Sequence, residues 1–177
     1  MLIKLQRILL VCSLLLPIFN SYAANEDNYR LGPGDVINIK VYGEEDLSME
    51  LLINNSGKID YPYLGRLSVS GATSQELKQT IQTGLKGDYL IQPKVAVNIV
   101  QYRQIFINGE VENPGGYAYQ PGLTIEKAIA LAGGFTERAS KTNINLSSGA
   151  NNSLVSKATL NSKIQAGDII VVKASFF

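Results

Sequence analysis

The chain has 177 residues, no histidine, one cysteine, and 16 basic against 15 acidic side chains for a formal charge of +1. Lacking histidine, it has neither the usual general base at neutral pH nor imidazole ligands for a metal. Its near-neutral balance, with no basic run, excludes the electrostatic footprint of a nucleic-acid binder.

The first 23 residues read as a cleavable export leader. Lys4 and Arg7 form a basic start, and Ile8 to Phe19 is apolar apart from Cys12, Ser13 and Pro17. Ser21 and Ala23 then place small residues at the −3 and −1 positions of a cleavage site. The apolar core is short of the ~20 residues a membrane span needs. Cys12 lies inside it and lacks the preceding small residue of a lipoprotein signal, so a soluble, non-lipidated mature chain is expected. Cleavage leaves 14 basic and 15 acidic groups, a net −1, and removes the lone cysteine with its disulfide and thiol chemistry. The remainder suits one or two small domains.

Residues 24–29 are polar and expected to be loose. Gly32-Pro33-Gly34-Asp35 is a breaker cluster that predicts a tight turn, with glycine at positive φ and Asp35 accepting backbone N–H bonds. In the following run Ile37, Ile39 and Val41 alternate with Asn38, Lys40 and Tyr42, the period of a half-buried strand. Leu51–Ile53 and Ile59–Tyr61 flank Asn54-Asn55-Ser56-Gly57 and predict a hairpin; Leu67–Val69 is a further short strand. Thr73 with Glu76 forms a capping box before a helix whose Leu77, Ile81 and Leu85 share one face, and Gly84 and Gly87 mark its end. Val95–Val100 is again strand-like.

A second unit begins near Gln104. Ile105–Asn108 predicts a strand, Gly109–Gly116 a loop and Tyr117–Tyr119 a short strand. Thr124 caps a helix with Ile125, Ala128, Ile129 and Ala132 inward, ended by Gly133-Gly134. Asn143–Leu146, Ser153–Val155 and Ile169–Lys173 supply more strands, and Ala158–Ile164 fits either a turn or a short helix. The halves share a grammar, and Gly34-Asp35-Val36-Ile37 is echoed by Gly167-Asp168-Ile169-Ile170. The expected fold class is α+β: after the leader, two small domains over residues 24–102 and 103–177, each a sheet with one covering helix.

No catalytic, cofactor or metal residue is assigned. Ser-His and Cys-His dyads are excluded by composition; Glu44, Glu45, Asp46 and the pair Glu110 and Glu112 are read as solvated or capping groups. The glycine-rich turn at Gly32–Asp35 precedes a strand and so is not a phosphate cradle. Gly109, Pro114 and Gly115 are expected to be structural turns of the same kind. Tyrosine is frequent, nine in the chain. Tyr61, Tyr63, Tyr117 and Tyr119, near turns, together with Glu110, are candidates for a subunit or polymer contact.

At this point the chain resembles the bacterial outer-membrane polysaccharide export (OPX) family. Tyr29-Arg30-Leu31-Gly32-Pro33-Gly34-Asp35-Val36-Ile37 is similar to the opening of its export domain. Gly57-Lys58-Ile59, Tyr61-Pro62-Tyr63-Leu64-Gly65 and Thr73 with Glu76-Leu77 are similar to its middle, and Pro93-Lys94-Val95-Ala96-Val97 to its end. Gly109-Glu110-Val111, Pro114-Gly115, Gly122-Leu123-Thr124 and Ala132-Gly133-Gly134 resemble the soluble-ligand-binding β-grasp (SLBB) domain that follows. Ser56 stands where the family usually has aspartate.

The resemblance implies a non-enzymatic part of a polysaccharide translocon at the periplasmic side of the outer membrane. It implies a ring-like homo-oligomer, an inner-membrane polysaccharide co-polymerase as partner, a separate outer-membrane porin, and extracellular polysaccharide as cargo. Further β-grasp domains and the C-terminal amphipathic helix of larger members are expected to be missing, so pore formation is not expected of this chain alone. The rival readings are a monomeric polysaccharide-binding module and a polymer-modifying enzyme.

Overall fold

A computed structural model of the chain describes residues 29–148 and 154–175. The expected leader, the loose segment up to residue 28, and Ser153 lie outside these residues. The rest forms two α+β domains, each with its own hydrophobic cluster.

The first domain is built around β1 (Val36–Val41), which lies between β2 (Met49–Leu52) and β5 (Val95–Gln101) in an antiparallel sheet. The period-2 reading of β1 holds. Ile37, Ile39 and Val41 are buried, whereas Lys40 is exposed. Helix α1 (Ser74–Leu85) packs against β5. Its capping box is complete: the Glu76 N–H donates to Thr73 Oγ1 at 3.1 Å and the Thr73 N–H donates to Glu76 Oε2 at 2.7 Å. Leu77, Ile81 and Leu85 all face inward, and burial of each aliphatic side chain contributes roughly 2 kcal/mol.

The hairpin expected around Asn54–Gly57 is corrected by the topology. The turn is present, because the Gly57 N–H donates to the Asn54 carbonyl at 2.9 Å and Asn54 Oδ1 accepts from the Ser56 and Lys58 amides. Its flanking strands do not pair with each other. Residues after β2 stay zipped to β1, Ile53 N–H donating to the Asp35 carbonyl at 2.9 Å. Strand β3 (Lys58–Tyr61) turns away to pair with β4 (Gly65–Ser68). The turn follows from local chemistry, whereas the strand pairing is set by β1, which holds β2 and leaves β3 to pair with β4.

The second domain is a five-stranded mixed sheet in the order β7-β6-β10-β8-β9. These strands are β6 (Ile105–Gly109), β7 (Gly115–Tyr117), β8 (Ala139–Ser147), β9 (Leu154–Ala158) and β10 (Ile169–Ala174). Helix α2 (Ile125–Leu131) buries Ile125, Ala128 and Ile129 against it. The central pair β6–β10 is parallel and therefore needs a crossover, which carries α2, β8 and β9. Residues 159–162 form a turn, resolving the Ala158–Ile164 ambiguity.

Gly109 sits where this parallel pair is tightest. Its φ is +87°, and a Cβ there would lie 2.0 Å from the Val172 carbonyl oxygen. Gly115 is different. It belongs to β7, paired with Ile107, with no positive φ and open space around it, which corrects its expected turn role. Gly109→Ala is therefore expected to lower stability by at least about 2 kcal/mol, whereas Gly115→Ala stays within roughly 0.5 kcal/mol of wild type. Urea titration of both variants checks this; equal stabilities would remove the distinction.

Candidate functional site

The two domains meet over a pair of matching turns. In the first, Pro33 pre-sets the second position, Gly34 takes φ +92°, and the Asp35 N–H donates to the Gly32 carbonyl at 3.1 Å. In the second, Gln165-Ala166-Gly167-Asp168 repeats the geometry. Gly167 has φ +88° and the Asp168 N–H donates to the Gln165 carbonyl at 3.2 Å. Each aspartate also accepts from the first amide of its own turn, Gly32 N–H to Asp35 Oδ2 and Gln165 N–H to Asp168 Oδ2, both at 2.8 Å. The expected role of Gly32–Asp35 is thus confirmed, and the Gly-Asp echo marks a repeated structural unit.

Arg103, in the link between β5 and β6, inserts between these turns. A Cβ on Gly34 would lie 3.3 Å from the Arg103 Cβ, and one on Gly167 would lie 2.9 Å from its Nε. The Asp35 carboxylate, with no exposure, accepts Arg103 Nη1–H at 2.9 Å, the Arg103 backbone N–H at 2.7 Å, and the Tyr29 hydroxyl at 2.8 Å to both oxygens. Around this core the rings of Tyr29 and Tyr102 meet edge to face at 4.8 Å. Tyr119, from the second domain, reaches Tyr102 at 5.6 Å and Tyr29 at 6.5 Å. Burial, and then donation to the Asp35 carboxylate, push the Tyr29 phenol far above its ordinary value, so it stays a donor. Burial, and then the charge of Asp168, raise that of Tyr119.

Beside this junction runs a groove of about 740 Å³, lined by the Gly32–Gly34 turn, Ser70, Gly71, residues 101–104, Phe106 and Gly167. Among the described residues no group of three or more acidic, histidine or cysteine side chains is placed to hold a metal.

The expected contact residues do not form one surface. Tyr61 is 2% exposed and donates to the Leu47 carbonyl at 2.7 Å. It is a core residue, which corrects its assignment to a subunit or polymer contact. Tyr63 is 65% exposed at the β3–β4 tip, holds φ +62°, and stacks on Tyr89 at 4.6 Å. Tyr117 packs half-buried on the second core, its hydroxyl donating to the Asn113 carbonyl. Tyr119 belongs to the junction. Pro114 is exposed in the loop before β7.

Glu110 accepts from Arg138 Nη2 at 2.8 Å and from the Thr136 hydroxyl at 2.6 Å, holding the β6–β7 loop to the segment before β8. Those two donors, Arg138 first, hold its carboxyl below the ordinary carboxylate range. Sequence reasoning missed Tyr29, Tyr102, Arg103 and Asp168. The signal that locates them is the repeated Gly-Asp step, which points to whatever side chain lies between the two copies.

Residues 23–100 match the polysaccharide biosynthesis/export protein family, and residues 104–155 match the SLBB domain. The chain belongs to the polysaccharide export family. It is similar to the exopolysaccharide production protein ExoF of Rhizobium meliloti, 34% identical over 125 residues that cover 63% of this chain and 29% of that protein. It is also similar to the EPS I polysaccharide export outer membrane protein EpsA of Ralstonia nicotianae, at 25% identity over 82% of this chain and 47% of the relative. The polysialic acid transport protein KpsD of Escherichia coli is 26% identical over 60% of this chain and 20% of its own length. The chain thus spans less than half the length of these relatives.

Two predictions follow from the geometry of this export-family chain. Asp35→Asn or Arg103→Met breaks a buried ion pair and is expected to cost about 3 kcal/mol each, with strong non-additivity in the double variant; chemical denaturation of the cycle measures it, and additive losses would contradict the coupling. Glu110, with its folded value depressed, contributes stability above its unfolded value that disappears as pH falls through and below the ordinary carboxylate range. The melting difference between wild type and Glu110→Gln should therefore be largest near neutrality and shrink toward pH ~3.

Proposed function

We propose that this chain is a non-enzymatic component of a polysaccharide export translocon, exported without a lipid anchor to the periplasmic side of the outer membrane. It would act there as a ring-forming or adaptor subunit between an inner-membrane co-polymerase and a separate outer-membrane porin, with extracellular polysaccharide as cargo. The observation that carries this reading is the two family matches, in order along one chain, over two domains joined by a single locked junction. The names of the relatives, which are export or transport proteins of exopolysaccharide and capsule, support it. We place the domain boundary at 102/103, on the N-terminal side of Arg103.

Among the described residues no helix is long and apolar enough to cross a membrane. Deleting the gene should leave polymer synthesis intact while polymer accumulates inside the envelope instead of reaching the surface. Fractionation of the deletion strain, with light scattering on the exported protein, tests both parts; normal surface polysaccharide in a strain with no substituting relative would overturn the export role.

A further inference from the structure

We infer that the groove at the domain junction is a subsite for neutral sugar units of a polysaccharide, with Phe106 as its stacking platform and the side chains of Gln101, Gln104 and Arg103 as hydroxyl partners. The inference rests on the export reading and adds to it a direct contact with cargo at a defined place.

Phe106 is 45% exposed although it is a large apolar side chain on a central region of the sheet. It stands opposite Gly116 in the β6–β7 ladder, and a Cβ on Gly116 would come within 3.3 Å of its ring and 2.7 Å of Gln104 Oε1. The glycine across the ladder therefore leaves room for the ring and the amide to lie side by side. Gln104 and Phe106 are two residues apart, on the face of the strand opposite buried Ile105 and Ile107. An aromatic face flanked by amides offers the two things a pyranose needs: a flat apolar surface for its C–H face, and groups that both donate to and accept from its ring of hydroxyls.

Arg103 supplies a further donor. Its Nη1 is held by Asp35, Tyr29 and the Arg30 carbonyl, which fixes the guanidinium at the wall of the groove. The glycines at 34 and 71 add exposed backbone without side-chain bulk, and the volume of about 740 Å³ falls within the range of small-molecule sites, which favour domain interfaces. Charge decides between sugar classes. Among the described residues the Arg103 cation is the one charged group lining the groove and is already matched by buried Asp35, so the local balance does not favour an anion. Neutral hydroxyls, not carboxylates, fit this lining.

The test uses oligosaccharide fragments of the producing strain's own surface polymer, prepared by partial acid hydrolysis, and the exported full chain. Saturation-transfer NMR with titration should show binding, with affinity reduced about tenfold or more by Phe106→Ala and clearly by Gln104→Ala. Leu131→Ala, at an exposed site on α2, should leave it unchanged; circular dichroism confirms that each variant is folded. Binding that Phe106→Ala and Gln104→Ala leave intact overturns the proposal. So does absence of binding by millimolar fragments, even where the deletion strain retains polymer and the export role stands. Loss of self-association in Phe106→Ala without saccharide binding would assign the groove to a second copy instead and equally overturn it.

Discussion

Burying a carboxylate costs free energy unless the protein replaces the water it has lost. At Asp35 that replacement is nearly complete: a guanidinium, two backbone amides and a phenol converge on two oxygens. Such a pair gains little over apolar packing of the same volume, because desolvation offsets most of the Coulombic attraction. What it gains is direction. The donors come from the segment before β1, from the turn itself and from the link into the second domain, and they meet at one angle only. The carboxylate therefore fixes how the two domains join, while the bulk of the folding free energy comes from the two separate apolar clusters.

The second turn completes this arrangement by the same local chemistry. A four-residue turn with glycine at the third position and aspartate at the fourth satisfies its own first amide and brings the backbone close to whatever packs on it. Placed once in each domain, it makes two shallow walls whose glycines let an arginine side chain fit between them. A β-carbon at Gly32, Gly34 or Gly167 would meet the guanidinium or its stem. The same absence of side chains that admits Arg103 also leaves the neighbouring groove open, so the lock and the cavity have one structural cause.

Much of this was legible in the sequence. The alternation in β1, the Thr73 capping box with its Leu77–Ile81–Leu85 stripe, and the turn role of Gly32–Asp35 are local signals, and each appears as read. The errors have a common origin in long-range choice. Asn54–Gly57 does form a turn, but β2 and β3 find other partners because β1 already holds β2. Tyr61 and Tyr63, two residues apart, look equivalent in sequence; one enters the core and the other sits at the tip with positive φ. Tyr117 and Tyr119 pack on their own chain, and only three-dimensional closure brings Tyr119 to Tyr29 and Tyr102. Arg103 and Asp35 lie 68 residues apart, a separation that leaves no periodic trace, and the Gly-Asp echo is the clue to their meeting.

The chemistry of the groove bears on how a polymer would pass such a protein. A conduit must hold its cargo strongly enough to admit it and weakly enough to let it move, a compromise reached elsewhere with several modest sites in place of one tight one. A deep pocket with a free charge would retain a saccharide; a half-exposed phenylalanine with amides at its edge would not, since each contact contributes little and none is fully desolvated. The strongest charge at the junction is neutralised internally by Asp35, leaving only peripheral donors for a ligand. If copies of the chain are arranged around an axis, identical weak subsites recur at intervals, and a repeating polymer can exchange one for the next without a large barrier. In such an array the lock at Asp35 would keep the subsites evenly spaced, because subsites displaced by domain flexing would lose the regular spacing on which such exchange depends.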